Sequence, residues 1–206
     1  MKLDVSNLAC ERGGYHVFEH VSFALDAGDM LMLTGPNGVG KSSLLRLLAG
    51  LGEPVAGTIV VDGRNVAGDP ARFAVNRIYV GHADALKPSL TVAENLMFWT
   101  RLQRGTNEVA EAVASALETL GLGSLADTPA RYLSAGQRRR AALARAMASG
   151  APLWLLDEPT TALDSRSLAA LDDIIARHLA GGGLAVVSSH VAVKGATASL
   201  ELGATA

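Results

Sequence analysis

Between residues 30 and 51 the chain passes from four apolar residues, Met30-Leu31-Met32-Leu33, through Gly35-Pro36-Asn37-Gly38-Val39-Gly40-Lys41-Ser42 into leucines at helical spacing, Leu44, Leu45, Leu47 and Leu48. No other feature restricts the fold as strongly. The glycine-rich segment matches G-x-x-x-x-G-K-[ST], a loop in which backbone amides and a helix N-terminus face one point. With 22 glycines, four lysines, 14 serines and 11 threonines in the chain, a chance match is on the order of 0.005. Such a loop accepts an anion. Lys41 is suited to the terminal phosphates of a nucleotide, Ser42 to helping ligate Mg²⁺, and Ser43 to a further phosphate contact.

The remaining periodicities predict an α/β protein. Val21, Phe23 and Leu25 alternate with Ser22 and Ala24, as in an antiparallel, β-rich opening. Thr58–Val61 and Ile78–Val80 read as short strands, with turns at Asp62-Gly63 and Gly68-Asp69-Pro70. Leu153-Trp154-Leu155-Leu156 and Leu184–Ser188 are apolar without alternation and flank a helix predicted over 165–179, the pattern of a parallel sheet covered on both faces. From Thr91 to about Gly150 the pattern is helical throughout, with a capping box at Thr91 and Glu94, a second helix from about Asn107 to Leu120 and a third from Ser134. At 206 residues, against ~150 per domain, the expectation is one domain over 1–206: a core with a β-rich edge at 1–90 and 151–206, and a helical insertion at 91–150.

Composition narrows the function classes. Hydrophobic residues make up 49% and charged ones 18%, so the chain has the means to bury a core. A net charge of -2 leaves no basic excess for nucleic acid, which is excluded as a partner. Cys10 is alone, fits a reducing compartment, and reads as a small buried hydrophobe. No apolar run approaches the ~20 residues of a membrane-spanning helix, and no export signal opens the sequence.

Two further segments carry chemistry. Asp157 and Glu158 end a buried strand, where doubly wound sheets place their ligand crevice. Asp157 suits Mg²⁺ and Glu158 suits polarising the water that attacks a γ-phosphate. In Leu133-Ser134-Ala135-Gly136-Gln137, a capping box explains Ser134 and Gln137 but not Gly136, which costs ~1 kcal/mol inside a helix. A glycine in the first turn lets something approach the backbone closely.

With this stretch the chain resembles the ATP-binding cassette (ABC) family, whose signature Leu-Ser-Gly-Gly-Gln appears here with Ala135 for the first glycine. The marks run in family order from residue 35 to residue 190. The resemblance implies a P-loop NTPase cassette with a mostly parallel core sheet, an antiparallel β-subdomain and an inserted helical subdomain. It implies ATP and Mg²⁺, catalysis by Glu158, His190 and Lys41, and ATP contacts from Gly35 through Ser43. Ser42, Asp157 and His82 are its candidate metal ligands, His82 standing where the family has a glutamine. The adenine-stacking position falls on Arg12, with Tyr15 the nearest aromatic; the sequence does not choose. Leu133–Gln137 face the ATP of a second cassette, and Thr161-Ala162-Leu163-Asp164 resembles the D-loop at that interface.

The expected partners are therefore a second copy of the chain and integral membrane subunits, whose cytoplasmic helix docks near 82–101. Asn7–Arg12, Gly81-His82 and Leu133–Arg145 narrow the resemblance to the ATP-binding subunits of bacterial haem exporters of cytochrome c maturation, although Ala83 replaces a usual glutamine. That implies a peripheral position on the cytoplasmic face of the inner membrane. It also implies hydrolysis that drives release of a haem-loaded chaperone. Two other readings stand beside it: the ATPase of another small exporter, and a nucleotide sensor without turnover.

Overall fold

The computed structural model describes residues 1–68, 73, 76–105 and 108–203. β1 (Leu3–Arg12) and β2 (Tyr15–Leu25) form a hairpin, β3 (Met30–Thr34) leads through the glycine loop into α1 (Lys41–Leu48), and β4 (Ala56–Val61), β5 (Arg64–Asn65) and β6 (Arg77–Val80) follow. Helices α2 (Val92–Arg104), α3 (Val109–Thr119) and α4 (Ala135–Ser149) occupy the middle of the chain. Then come β7 (Leu153–Asp157), α5 (Ser165–Ala180), β8 (Leu184–Ser188) and β9 (Ala198–Glu201). The strands make two sheets, ordered β2-β1-β4-β5 and β6-β7-β8-β3-β9. The first is antiparallel and the second parallel, as expected for the class.

Side-chain direction alternates along each strand, and this divides the core in two. Met30, Met32, Trp154, Leu156, Ala185 and Val187 face α2–α5. Leu31, Leu33, Leu153, Leu155, Leu184 and Val186 face α1 and the antiparallel sheet. Both faces being covered, continuous apolar runs are what these strands require.

Two expectations need revision. The segment between α3 and α4 is not helical throughout: it makes two 3₁₀ turns, Gly123–Leu125 and Ala130–Tyr132, and Thr91 bridges to Pro129. Gly121, at φ +63°, ends α3, and Pro129 cannot donate within a helix. β9 was unforeseen, because Ala-Ser-Leu-Glu carries no apolar run; it is a mostly exposed edge strand beside β3. Asp69 and Pro70 of one expected turn, and Asn107 at the expected start of a helix, lie outside the described residues; that helix is seen from Val109.

Away from the strand ends that carry the carboxylates, His178 stacks on Trp154 at 4.0 Å between centroids and donates from Nε2 to the Leu184 carbonyl, 3.0 Å away. Burial pulls its pKa below the ordinary value, opposed by bonds to the carbonyls of Leu184 and Pro152. The unfolded chain then binds the proton more readily, so folding stability falls as pH drops through and below about 6.5. Denaturation midpoints measured from pH 7.5 down to about 5.5 should show this decline. His178→Phe should flatten it while costing about 1 kcal/mol at pH 7.5 for the lost hydrogen bond; an undiminished slope would assign the decline to other groups.

Candidate functional site

α1 begins without a side-chain cap: its N-cap is Gly40, at φ +110°, and no side chain accepts from its first amides. Those amides are therefore free to meet an anion. A Cβ on Gly40 would stand 2.6 Å from Val17 Cγ1 and 3.0 Å from Phe18 Cδ1, so the antiparallel sheet packs directly on the loop. Lys41 is buried, and its Nζ donates to the carbonyls of Gly35 (2.7 Å) and Pro36 (3.0 Å). The ammonium thereby braces the loop and sits at its mouth.

The loop opens on a cavity of about 540 Å³. Asn37, Gly38, Gly40, Lys41, Ser42 and Ser43 line it with Arg12, Val17, His82, Asp157, Glu158, Thr161 and His190. Gly35, Pro36 and Val39 complete the loop behind this lining. Of the two candidates for adenine stacking, Arg12 lines the cavity. Tyr15, its cross-strand partner at the hairpin tip, is 80% exposed and outside the lining. His82 reaches the cavity from the segment after β6.

Asp157 is 2% exposed at the end of β7. Its Oδ1 accepts from Ser188 Oγ at 2.7 Å and its Oδ2 from Tyr79 OH at 3.1 Å. Burial, then the Asp157 charge, raises the Tyr79 pKa well above the ordinary phenol value, so Tyr79 stays a donor. Glu158 follows at φ +50°, its amide donating to the Ser188 carbonyl at 2.9 Å. His190 donates from Nε2 to Asn37 Oδ1 at 2.8 Å and lies 3.5 Å from Glu158 Oε1. Oε1 is buried and accepts no hydrogen bond. Phosphate loop, histidine and carboxylate thus form one chain of contacts.

Leu133–Gln137 do not line this cavity, and neither does Asp164. Ser134 caps α4 by accepting from the Gln137 amide (3.2 Å), while Gln137 Oε1 accepts from the Ser134 amide (2.7 Å). Gly136 now has a local cause: a Cβ there would stand 2.8 Å from the Ala162 carbonyl, in a loop where Ala162 itself has φ +61°. Asp164 caps α5 by accepting from the Ser167 amide at 2.8 Å, and its pKa is lowered by the Ser167 hydroxyl first and by this amide second.

Sequence reasoning missed Tyr79, Ser188 and Arg139. Tyr79 and Ser188 lie within expected strands but gain meaning only through pairing, Ser188 standing opposite Asp157. Arg139 had a signal: in the run Arg138-Arg139-Arg140 it falls on the helix face shared with Leu143, hence buried.

A family model described as ABC transporter matches residues 18–161. A Paramagnetospirillum magneticum protein named cytochrome c biogenesis ATP-binding export protein CcmA is 54% identical over 185 residues, 89% of this chain and 85% of that protein. One of the same name from Rhodopseudomonas palustris is 46% identical over 207 residues, 100% of both chains. Among solved structures, a dimeric bacterial ABC transporter cassette superposes with a TM-score of 0.86 at 25% identity, covering 98% of this chain and 95% of that one. An ATP-binding subunit of an ABC transporter gives 0.85 at 26% identity, over 93% and 80%.

The contact at Gly136 sets two effects against each other. Gly136→Ala gains up to ~1 kcal/mol of helix propensity but drives a methyl into a backbone carbonyl, which costs ~1–3 kcal/mol. The carbonyl cannot rotate away as a side chain would, so the clash should win. The thermal midpoint is expected to fall by a few degrees; a rise would show that the 160–164 loop yields freely.

Proposed function

The chain belongs to the ABC transporter family as an ATP-hydrolysing subunit, and from that premise we propose that it serves the haem exporter of cytochrome c biogenesis. In this reading it works with a second copy of itself and with separate membrane subunits, on the cytoplasmic face of the inner membrane. Its hydrolysis drives release of a haem-loaded chaperone. The observation that carries the reading is the 46% identity to the Rhodopseudomonas palustris export protein along the full length of both chains. Among the described residues no helix is long and apolar enough to cross a membrane; in this reading the membrane-spanning part is a separate subunit. A groove of about 420 Å³ lined by Leu90, Glu94, Met97, Phe98, Arg101 and Leu102, with Phe98 52% and Leu102 58% exposed, is the proposed seat for that subunit's cytoplasmic helix.

ATP would lie with its phosphates on the uncapped start of α1 and its base against the Arg12 guanidinium, which can stack on an aromatic ring. Lys41 holds the terminal phosphates. Glu158 lines the cavity and its Oε1 accepts no hydrogen bond from the chain, which leaves the carboxylate a lone pair for a proton of the attacking water. His190, braced by Asn37, lies between that carboxylate and the phosphate loop, where it steadies the γ-phosphate. The donor chemistry fits Mg²⁺: the Ser42 hydroxyl and the Asp157 carboxylate are hard oxygens in one cavity, with His82 beside them. When bound, the ion would neutralise charge on the β- and γ-phosphate oxygens. Ser188 and Tyr79 orient the carboxylate that would hold it.

Lys41→Ala should reduce ATP hydrolysis by at least about 100-fold and abolish holo-cytochrome c in cells that depend on this chain. Normal holo-cytochrome c with hydrolysis lost would end the haem assignment. Tyr79→Phe leaves Asp157 Oδ2 without its donor, and outer-shell losses of this kind typically cost ~10–100-fold in metal affinity. The Mg²⁺ concentration giving half-maximal hydrolysis should therefore rise about tenfold in that variant; an unchanged Mg²⁺ titration would detach Tyr79 from the metal site.

A further inference from the structure

β6 is an edge strand, and the carbonyls of residues 77, 79 and 81 turn away from β7, toward the helices. A side chain from that helical layer meets each of them. Gln103 of α2 donates to the Arg77 carbonyl at 2.9 Å, and Arg145 and Arg139 of α4 donate to those of Tyr79 (3.1 Å) and Gly81 (2.7 Å). The helices are thus joined to the edge of the sheet by a row of polar bonds.

Arg139 reaches further than the other two. It is 4% exposed, and besides Gly81 its guanidinium donates to the carbonyls of Asp157 (2.5 Å), Glu158 (2.8 Å) and Pro159 (3.4 Å). Asp84, after β6, is its carboxylate contact, at 3.5 Å. Burying a charge chiefly among carbonyls is costly unless every donor is well placed, so the guanidinium is satisfied in one arrangement of α4 against β7. Glu158 also needs holding: a non-glycine residue at φ +50° costs on the order of 1–3 kcal/mol and persists only where its surroundings fix it. Ser188 holds its amide and Arg139 its carbonyl.

We propose that Arg139 is a positioning residue: carried on the helix that opens with Ser134–Gln137, it clamps the backbone of Glu158, so that the seating of α4 against the sheet decides whether Glu158 is aligned for hydrolysis. A lysine at this position supplies one donor point where the guanidinium supplies a fork. The inference rests on Glu158 being the hydrolytic carboxylate.

The test uses the full chain co-purified with its membrane subunits, with single-turnover ATP hydrolysis and the binding of a fluorescent ATP analogue as readouts. Arg139→Lys should slow hydrolysis about 10- to 100-fold with analogue affinity within about threefold. In a Glu158→Gln background, where the end of the lever is gone, the same substitution should lower the residual rate by less than about threefold. An equal loss in both backgrounds, a parallel loss of affinity, or undiminished turnover in Arg139→Lys would each overturn the inference. Thermal midpoints verify folding, and if Arg139→Lys is unfolded, Arg139→Gln is scored by the same ratio. Undiminished hydrolysis in Glu158→Gln alone would overturn the reading of Glu158 itself, an outcome separable from the others.

Discussion

Because β7 and β8 are buried along their whole length, polar groups can enter this sheet only at the strand ends, where pairing stops. Asp157, Glu158 and Ser188 stand there, and the glycine loop leaves β3 at the same edge. A carboxylate as buried as Asp157 is tolerable only with its oxygens satisfied, and the Ser188 and Tyr79 hydroxyls satisfy them. Those bonds also fix its orientation. The same serine accepts from the Glu158 amide (3.2 Å), so the two acidic residues are oriented through one hydroxyl.

The cavity beside them is assembled from parts with unequal freedom. Lys41 is fixed by two carbonyls and Asp157 by two hydroxyls. His190 is about half exposed and follows a strand end, with Asn37 as its side-chain partner on the loop. Lys41 and Asp157, proposed for the terminal phosphates and for Mg²⁺, are thus pre-set. His190, proposed to steady the γ-phosphate, has room to adjust. In a reaction governed by positioning and charge stabilisation, that division places rigidity where charge accumulates.

What was legible in the sequence was whatever depends on neighbours along the chain. The phosphate loop, the capping boxes at Thr91 and Ser134 and the unbroken apolar strands are local patterns, and each appears where its pattern places it. The helical insertion was overextended because 3₁₀ turns share the short-range spacing of α-helix, and β9 escaped because an exposed edge strand needs no apolar face. The cavity's glycine loop and its carboxylates could be read directly. Its supports could not: Tyr79 matters through a strand neighbour, Ser188 through register, and Arg139 through a helix packed across the sheet edge. Arg12 and Tyr15 are an instructive pair. They stand opposite each other in a hairpin, and only the packing of that hairpin on the loop brings one to the cavity and leaves the other in solvent.

The starts of α1 and α4 are finished differently, and the difference bears on the proposed pairing of two copies. α1 has no side chain on its first amides and points them into its own cavity. α4 has a capping box that commits the Ser134 and Gln137 amides, while those of Ala135 and Gly136 lack partners within the helix. The Ala162 carbonyl packed on Gly136 holds this end of α4 to the loop preceding α5, and none of Leu133–Gln137 lines the cavity. In the proposed reading these amides form a second phosphate-facing surface, and it lies outside the first cavity. Two copies placed head to tail would let each supply what the other's cavity lacks. Because α4 carries both this surface and Arg139, a nucleotide closed over by the partner would press on the same helix that clamps the Glu158 backbone of its own chain.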